Sequence, residues 1–137
     1  MTVQIACASC GRPLTGQCEW GAEGDYDRTA VDRNPAVPKG VLIRLREQDA
    51  VDVFQSDQIV GRKVYSEAGA IASNPEDVLT DSMVSAGADN GCCGSDGCDG
   101  PNRACLCGSM VATQWSDCWT QAEVRFLPDA VSASNKI

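Results

Sequence analysis

The 137-residue chain contains no histidine. That removes the commonest general base and the imidazole metal ligand, so Ser–His and Cys–His nucleophiles are excluded, and any metal must be held by thiolates and carboxylates. Basic residues are scarce as well: 11 Lys and Arg stand against 19 Asp and Glu, a formal net charge of −8, and no segment has a basic excess. Nucleic-acid binding leans on cations that neutralise phosphates, so no nucleic-acid partner is expected. No apolar run approaches the roughly 18 residues that a spanning helix needs, and no basic amphipathic stretch offers a surface anchor; no membrane association is expected. The opening MTVQIACASC has no charged segment followed by an apolar core, hence no export signal, which points to the reducing cytoplasm. Aromatic residues make up only 5%, leaving Trp20, Tyr26, Phe54, Tyr65, Trp115, Trp119 and Phe126 as the large anchors.

What the chain does have is cysteine, nine in all, six of them between Gly91 and Trp119. Cys7-Ala8-Ser9-Cys10-Gly11 is a C-x-x-C-G turn of the zinc-ribbon kind, and Cys105-Leu106-Cys107-Gly108 is a second turn one residue shorter. Each supplies two sulfurs, and tetrahedral zinc takes four, usually from two such turns far apart in sequence. Cys7, Cys10, Cys105 and Cys107 are therefore expected to bind one Zn2+ and clip the N-terminus to the last third of the chain. Iron–sulfur chemistry would use the same ligands. A disulfide framework would use the same residues too, but nine is an odd number and cytosolic thiols stay reduced. The remaining five, Cys18, Cys92, Cys93, Cys98 and Cys118, hold enough thiols for a second metal or redox site. Adjacent Cys92 and Cys93 are an awkward pair for one ion.

The chain is expected to form one domain, 1–137, of small, mainly β (α+β) class: zinc-ribbon-like hairpins joining the chain ends, with one packed α-helix. Residues 14–20 read as a return strand and 21–39, rich in Gly, Asp, Asn and Pro, as a long polar loop. Apolar residues alternate through 40–47 and continue in 51–54, which predicts a hairpin turning at Glu47–Asp49. Residues 60–65 suggest a further strand. Ser73-Asn74-Pro75-Glu76-Asp77 carries capping and first-turn signals for a helix ending near Ser85–Gly87. The glycine-rich stretch 90–100 lacks the Lys and Ser/Thr of a P-loop and the carboxylate register of a calcium loop, and reads as tight turns serving thiols. Residues 110–115 and 123–127 predict a hairpin stopped by Pro128; 129–137 reads as a turn or a flexible tail.

The ordered string Gly91-Cys92-Cys93-Gly94, Asp96-Gly97, Asp99-Gly100-Pro101-Asn102, Cys105-Leu106-Cys107-Gly108, Val111-Ala112-Thr113 and Asp117-Cys118-Trp119, with Cys7 and Cys10, resembles small uncharacterised bacterial proteins that have an N-terminal C-x-x-C. The resemblance covers about a third of the chain. It implies a zinc-ribbon-like fold, gives no activity, and singles out Cys93 and Cys118 among the extra thiols. Those relatives tend to have C-x-x-C where this chain has C-x-C.

Together these features point to a non-catalytic, zinc-stabilised structural or interaction module, whose acidity suits a protein partner. Two rivals remain: a thiol-based redox or metal sensor using Cys92 and Cys93, and a zinc hydrolase with an open metal position.

Overall fold

The computed structural model describes residues 2–87, 91–97 and 100–136. Its strands are β1 (Thr2–Cys7), β2 (Glu19–Trp20), β3 (Val41–Leu45), β4 (Asp49–Gln55), β5 (Gln58–Ser66), β6 (Ala70–Ser73), β7 (Met83–Ser85), β8 (Arg103–Cys105), β9 (Met110–Trp115), β10 (Glu123–Phe126) and β11 (Val131–Lys136). Seven form one mixed sheet in the order β2-β3-β6-β10-β9-β8-β7, while β1 pairs with β11 and β4 with β5. The mainly β expectation holds.

Strand alternation places two sets of side chains on opposite faces of the large sheet. Leu42, Ile71, Val124 and Phe126 join Val3, Ile5 and Val131 in the main core beneath β1 and β11. Their neighbours Ile43, Leu45 and Ala72 pack instead with Ala36 and Val37. The segment 21–39, read as a polar loop, thus covers the second face, and two fully buried residues tie it down. On that face β10 presents charge: Glu123 and Arg125 are both buried. Arg125 donates to Glu123 at 2.9 Å, to Asp49 at 3.0 Å and to the Tyr26 hydroxyl at 2.8 Å. Tyr26 in turn donates to Glu123. Burial and the Glu123 charge hold the Tyr26 phenol well above its ordinary value despite Arg125, so it stays a neutral donor.

The expected α-helix is absent: no α-helix occurs among the described residues, and 75–85 holds two three-residue 3-10 turns, Pro75–Asp77 and Thr80–Ser82, followed by β7. The start signal was sound, since the Asn74 side chain accepts from the Glu76 N–H at 2.9 Å. Propagation fails because the backbone groups that a helix would use are taken. Gly16 N–H donates to Asp77 O at 3.0 Å, and Leu79 N–H donates to Leu14 O at 2.9 Å.

Three further expectations change. The hairpin at 47–49 does not form; β3 pairs with β6, and β4 pairs with β5 through Ser56–Asp57. Both turn residues have positive φ, +52° and +64°, the conformation of a two-residue type I′ hairpin turn. Residues 129–137 carry β11, antiparallel to β1 along its whole length, rather than a tail. Residues 14–20 contribute the isolated bridges Val3↔Cys18 and Thr15↔Val78 and the two-residue β2, which pairs parallel to β3. The β9–β10 hairpin forms as expected.

Asn102 extends the large sheet with its side chain, accepting from Gln114 N–H at 2.8 Å and donating to Gln114 O at 3.1 Å while 1% exposed. Asn102→Ala orphans both backbone groups and should cost about 1–3 kcal/mol, read as a lower denaturant midpoint with an unchanged slope.

Candidate metal centre

β1 ends at Cys7 and β8 ends at Cys105, and both strand ends lie in the main core. The chain reverses after each. In the first turn Gly11 N–H donates to Cys7 O at 2.8 Å, and Cys7 N–H to Arg12 O at 2.9 Å. In the second, Gly108 N–H donates to Cys105 O and Cys105 N–H to Ser109 O, both at 2.8 Å. The two turns share one plan, closed by a glycine of positive φ directly after the second cysteine, +79° at Gly11 and +98° at Gly108. The C-x-C turn simply closes one residue sooner.

The four sulfurs converge. Cys7 Sγ lies 3.7 Å from Cys107 Sγ, and Cys10 Sγ lies 3.5 Å from Cys105 Sγ. All four atoms lie within 4.8 Å of one another, a group that could hold a metal ion. Cys7 and Cys105 are buried; Cys10 and Cys107 are exposed. Burial pushes the Cys7 thiol up, but the Cys10 and Ser9 N–H groups and the facing thiols outweigh it and bring it down to about 7. Burial raises Cys105 to about 12, against the Cys107 N–H and with contributions from the other three thiols.

A second group gathers around the turn between β9 and β10. Cys92 Sγ lies 3.4 Å from Cys93 Sγ and 3.6 Å from Cys118 Sγ, and Asp117 completes the set of potential ligand atoms within 4.8 Å. The three thiols are exposed, whereas Asp117 is 1% exposed. Hydrogen bonds to Cys93 and Cys118, burial and the Asp117 charge push the Cys92 thiol up to about 12. Burial would raise Asp117, yet the N–H groups of Cys118, Cys93 and Cys92, with the Cys92 thiol, draw it down to about 2.

Cys18 joins neither group. Cys18 is buried in the main core, its Sγ 3.7 Å from Gly16 O, and burial with the Asp77 charge raises it to about 11. It packs as a small apolar residue. Cys98 lies outside the described residues. Asp117 had no sequence signal as an organiser beyond standing next to Cys118. Trp119 remains 55% exposed, its Nε1 donating to Asp117 at 2.9 Å. Trp115 is buried with the Arg125 guanidinium 4.9 Å from its ring centre.

Fold and site define a mainly β, cysteine-rich protein with two groups of side chains able to hold metal ions. No family model, curated protein or solved structure matches this chain. No helix of the described residues is long and apolar enough to cross a membrane.

Proposed function

We propose that the chain is a non-catalytic module stabilised by one zinc ion on Cys7, Cys10, Cys105 and Cys107, and that it serves a protein partner. The observation that carries this is the sulfur spacing of 3.7 and 3.5 Å across the two turns. Metal–sulfur bonds of about 2.3 Å in a tetrahedron give sulfur–sulfur edges of roughly 3.8 Å, whereas a disulfide would bring the atoms to about 2.05 Å. The compactness of the quartet suits a single ion better than a multi-iron cluster, whose cysteines stand on separate metal atoms. Four thiolates close the coordination shell and leave no position for water, which speaks against hydrolysis at this ion.

A protein partner is supported by the net charge of −8 and by the β4–β5 hairpin. That hairpin joins neither other sheet, and Phe54, Ile59 and Val60 near its turn are 63%, 59% and 58% exposed. Phe54 and Ile59 stand directly opposite each other across the two strands, and a paired exposed apolar surface supports an interaction site.

Elemental analysis of protein purified without added metal should find zinc, and Cys10→Ser should lower it by one equivalent per chain. A Phe54→Ser, Ile59→Ser, Val60→Ser variant should keep its zinc and melting temperature and lose partner capture. Iron in place of zinc, or S–S bonds among the four cysteines, would overturn the metal assignment. Undiminished capture would overturn the hairpin's role.

The sensor reading draws on Cys92 and Cys93, whose exposed sulfurs lie 3.4 Å apart. It requires reversible loss of two free thiols together with function while the zinc above stays bound.

A further inference from the structure

The second sulfur group is built on one buried carboxylate. Asp117 Oδ1 accepts from the N–H groups of Cys93 at 2.9 Å and Cys118 at 2.8 Å. Its Oδ2 accepts from Cys92 N–H at 3.2 Å and from Trp119 Nε1 at 2.9 Å. A carboxylate offers about four lone-pair sites, and these four donors occupy them. The Cys92 thiol also points at Oδ1, at 3.6 Å, a weak contact that loss of its proton would remove. Asp117 therefore lies among the sulfurs without a lone pair to spare for a cation.

What Asp117 does is gather two chain segments, 92–93 and 118–119, so that three sulfurs face one another. Two further features hold this arrangement. A Cβ on Gly91 would fall 1.6 Å from Gly94 O and 2.8 Å from Asp117 Oδ2, so only glycine allows the turn that aims adjacent Cys92 and Cys93 the same way. From the other side, Arg33 donates to Cys93 O at 3.1 Å and to Ser116 O at 3.2 Å. Its guanidinium bridges the two segments and brings positive charge to a place where three thiolates and a carboxylate would otherwise repel.

We infer that Cys92, Cys93 and Cys118 form a second, exchangeable site for a thiophilic ion of the zinc or cadmium kind, with Asp117 as a positioning residue rather than a ligand. The sulfur spacings of 3.4 and 3.6 Å fit one face of a thiolate tetrahedron, whose edge is roughly 3.8 Å. Exchangeability follows from exposure. All three thiols are open to solvent, whereas two of the four sulfurs of the first centre are buried, so a chelator or an acceptor protein reaches this ion first. The site is independent of the first centre and shares no ligand with it.

The test uses the reduced full-length chain loaded with Zn2+, then challenged with a chromogenic chelator. Two ions per chain should leave in two phases, one fast and one slow. Cys118→Ser should abolish the fast phase alone, and Cys10→Ser the slow phase alone. Asp117→Asn, whose amide cannot accept all four N–H bonds, should keep the stoichiometry and weaken the fast site by about 10- to 100-fold. With Co2+ in place of Zn2+, this variant should keep the thiolate charge-transfer intensity and band positions of the second site. Cys98→Ser should change nothing. The proposal is overturned by one ion per wild-type chain, by a fast phase that survives Cys118→Ser, or by loss of the second ion in Cys98→Ser. A shift of the cobalt bands in Asp117→Asn would make Asp117 a ligand and overturn its positioning role.

Discussion

Removing the ion from the Cys7, Cys10, Cys105 and Cys107 centre is expected to lower the melting temperature by on the order of 15 °C. In the proposed centre an ion would bind the folded chain and not the dispersed thiols of the unfolded one. A free concentration about 1,000 times Kd therefore contributes about 4 kcal/mol, which for a chain of this size is roughly 12–20 °C. The effect should be global. Cys7 and Cys105 stand in the same core cluster as Ile5, Val111, Phe126 and Val131, so the centre joins the β1–β11 pair to the large sheet across the core. Cys105→Ser should match chelation, and adding a chelator to that variant should change little further. The loss should also depend on pH in a fixed sense. Without metal, burial leaves the Cys105 thiol protonated up to about 12, against the Cys107 N–H, while the Cys7 thiol, raised by burial but lowered further by nearby N–H groups, titrates near 7. Binding must release protons, so affinity rises with pH and the melting difference shrinks as the solution is acidified. Calorimetry with and without chelator at several pH values measures both. A melting temperature indifferent to chelator would remove the ion from any structural role.

The second large effect concerns the opposite face of the sheet. Glu123→Ala is expected to destabilise the protein by about 3–5 kcal/mol, because among the described residues it leaves the buried Arg125 charge with only the half-exposed Asp49 as counter-ion. Glu123 is fully buried, and Arg125 is 5% exposed. The guanidinium also loses a bridge, since Tyr26 donates to Glu123 and accepts from Arg125. The raised Arg125 pKa, in which burial is outweighed by Glu123 and Tyr26, gives the same direction. Replacing both charges, as in Glu123→Leu with Arg125→Met, should recover most of the loss, because a buried pair exchanged for apolar side chains of similar volume is often neutral. Urea melts of the single and double variants decide it. A single variant costing under about 1 kcal/mol would mean that Arg125 is not left as an uncompensated buried charge.

Much of the candidate site was legible because its geometry is local. A C-x-x-C-G turn is written in consecutive residues, and the C-x-C-G turn uses the same closing glycine, so the convergence of Cys7, Cys10, Cys105 and Cys107 could be read from spacing. The β9–β10 hairpin was legible for the same reason. What was not legible depends on distant pairing. Asn74 does cap a turn, but the Leu14 and Gly16 backbones take the groups that a helix would have used. The central strand β6, Ala-Ile-Ala-Ser, is too small to announce itself, yet it is buried at every position between β3 and β10. β11 is a strand because β1 lies beside it. Asp117 is adjacent to Cys118 in sequence, but two of its four N–H donors, Cys92 and Cys93, are brought in from about 25 positions earlier.

X-ray absorption at the zinc edge of the Cys118→Ser protein, which by the proposal above would keep only the first centre, tests the central claim most directly. Four sulfur scatterers at about 2.3 Å with no nitrogen or oxygen in the shell are predicted. An oxygen or nitrogen ligand, fewer than four sulfurs, or protein that carries no zinc would contradict it.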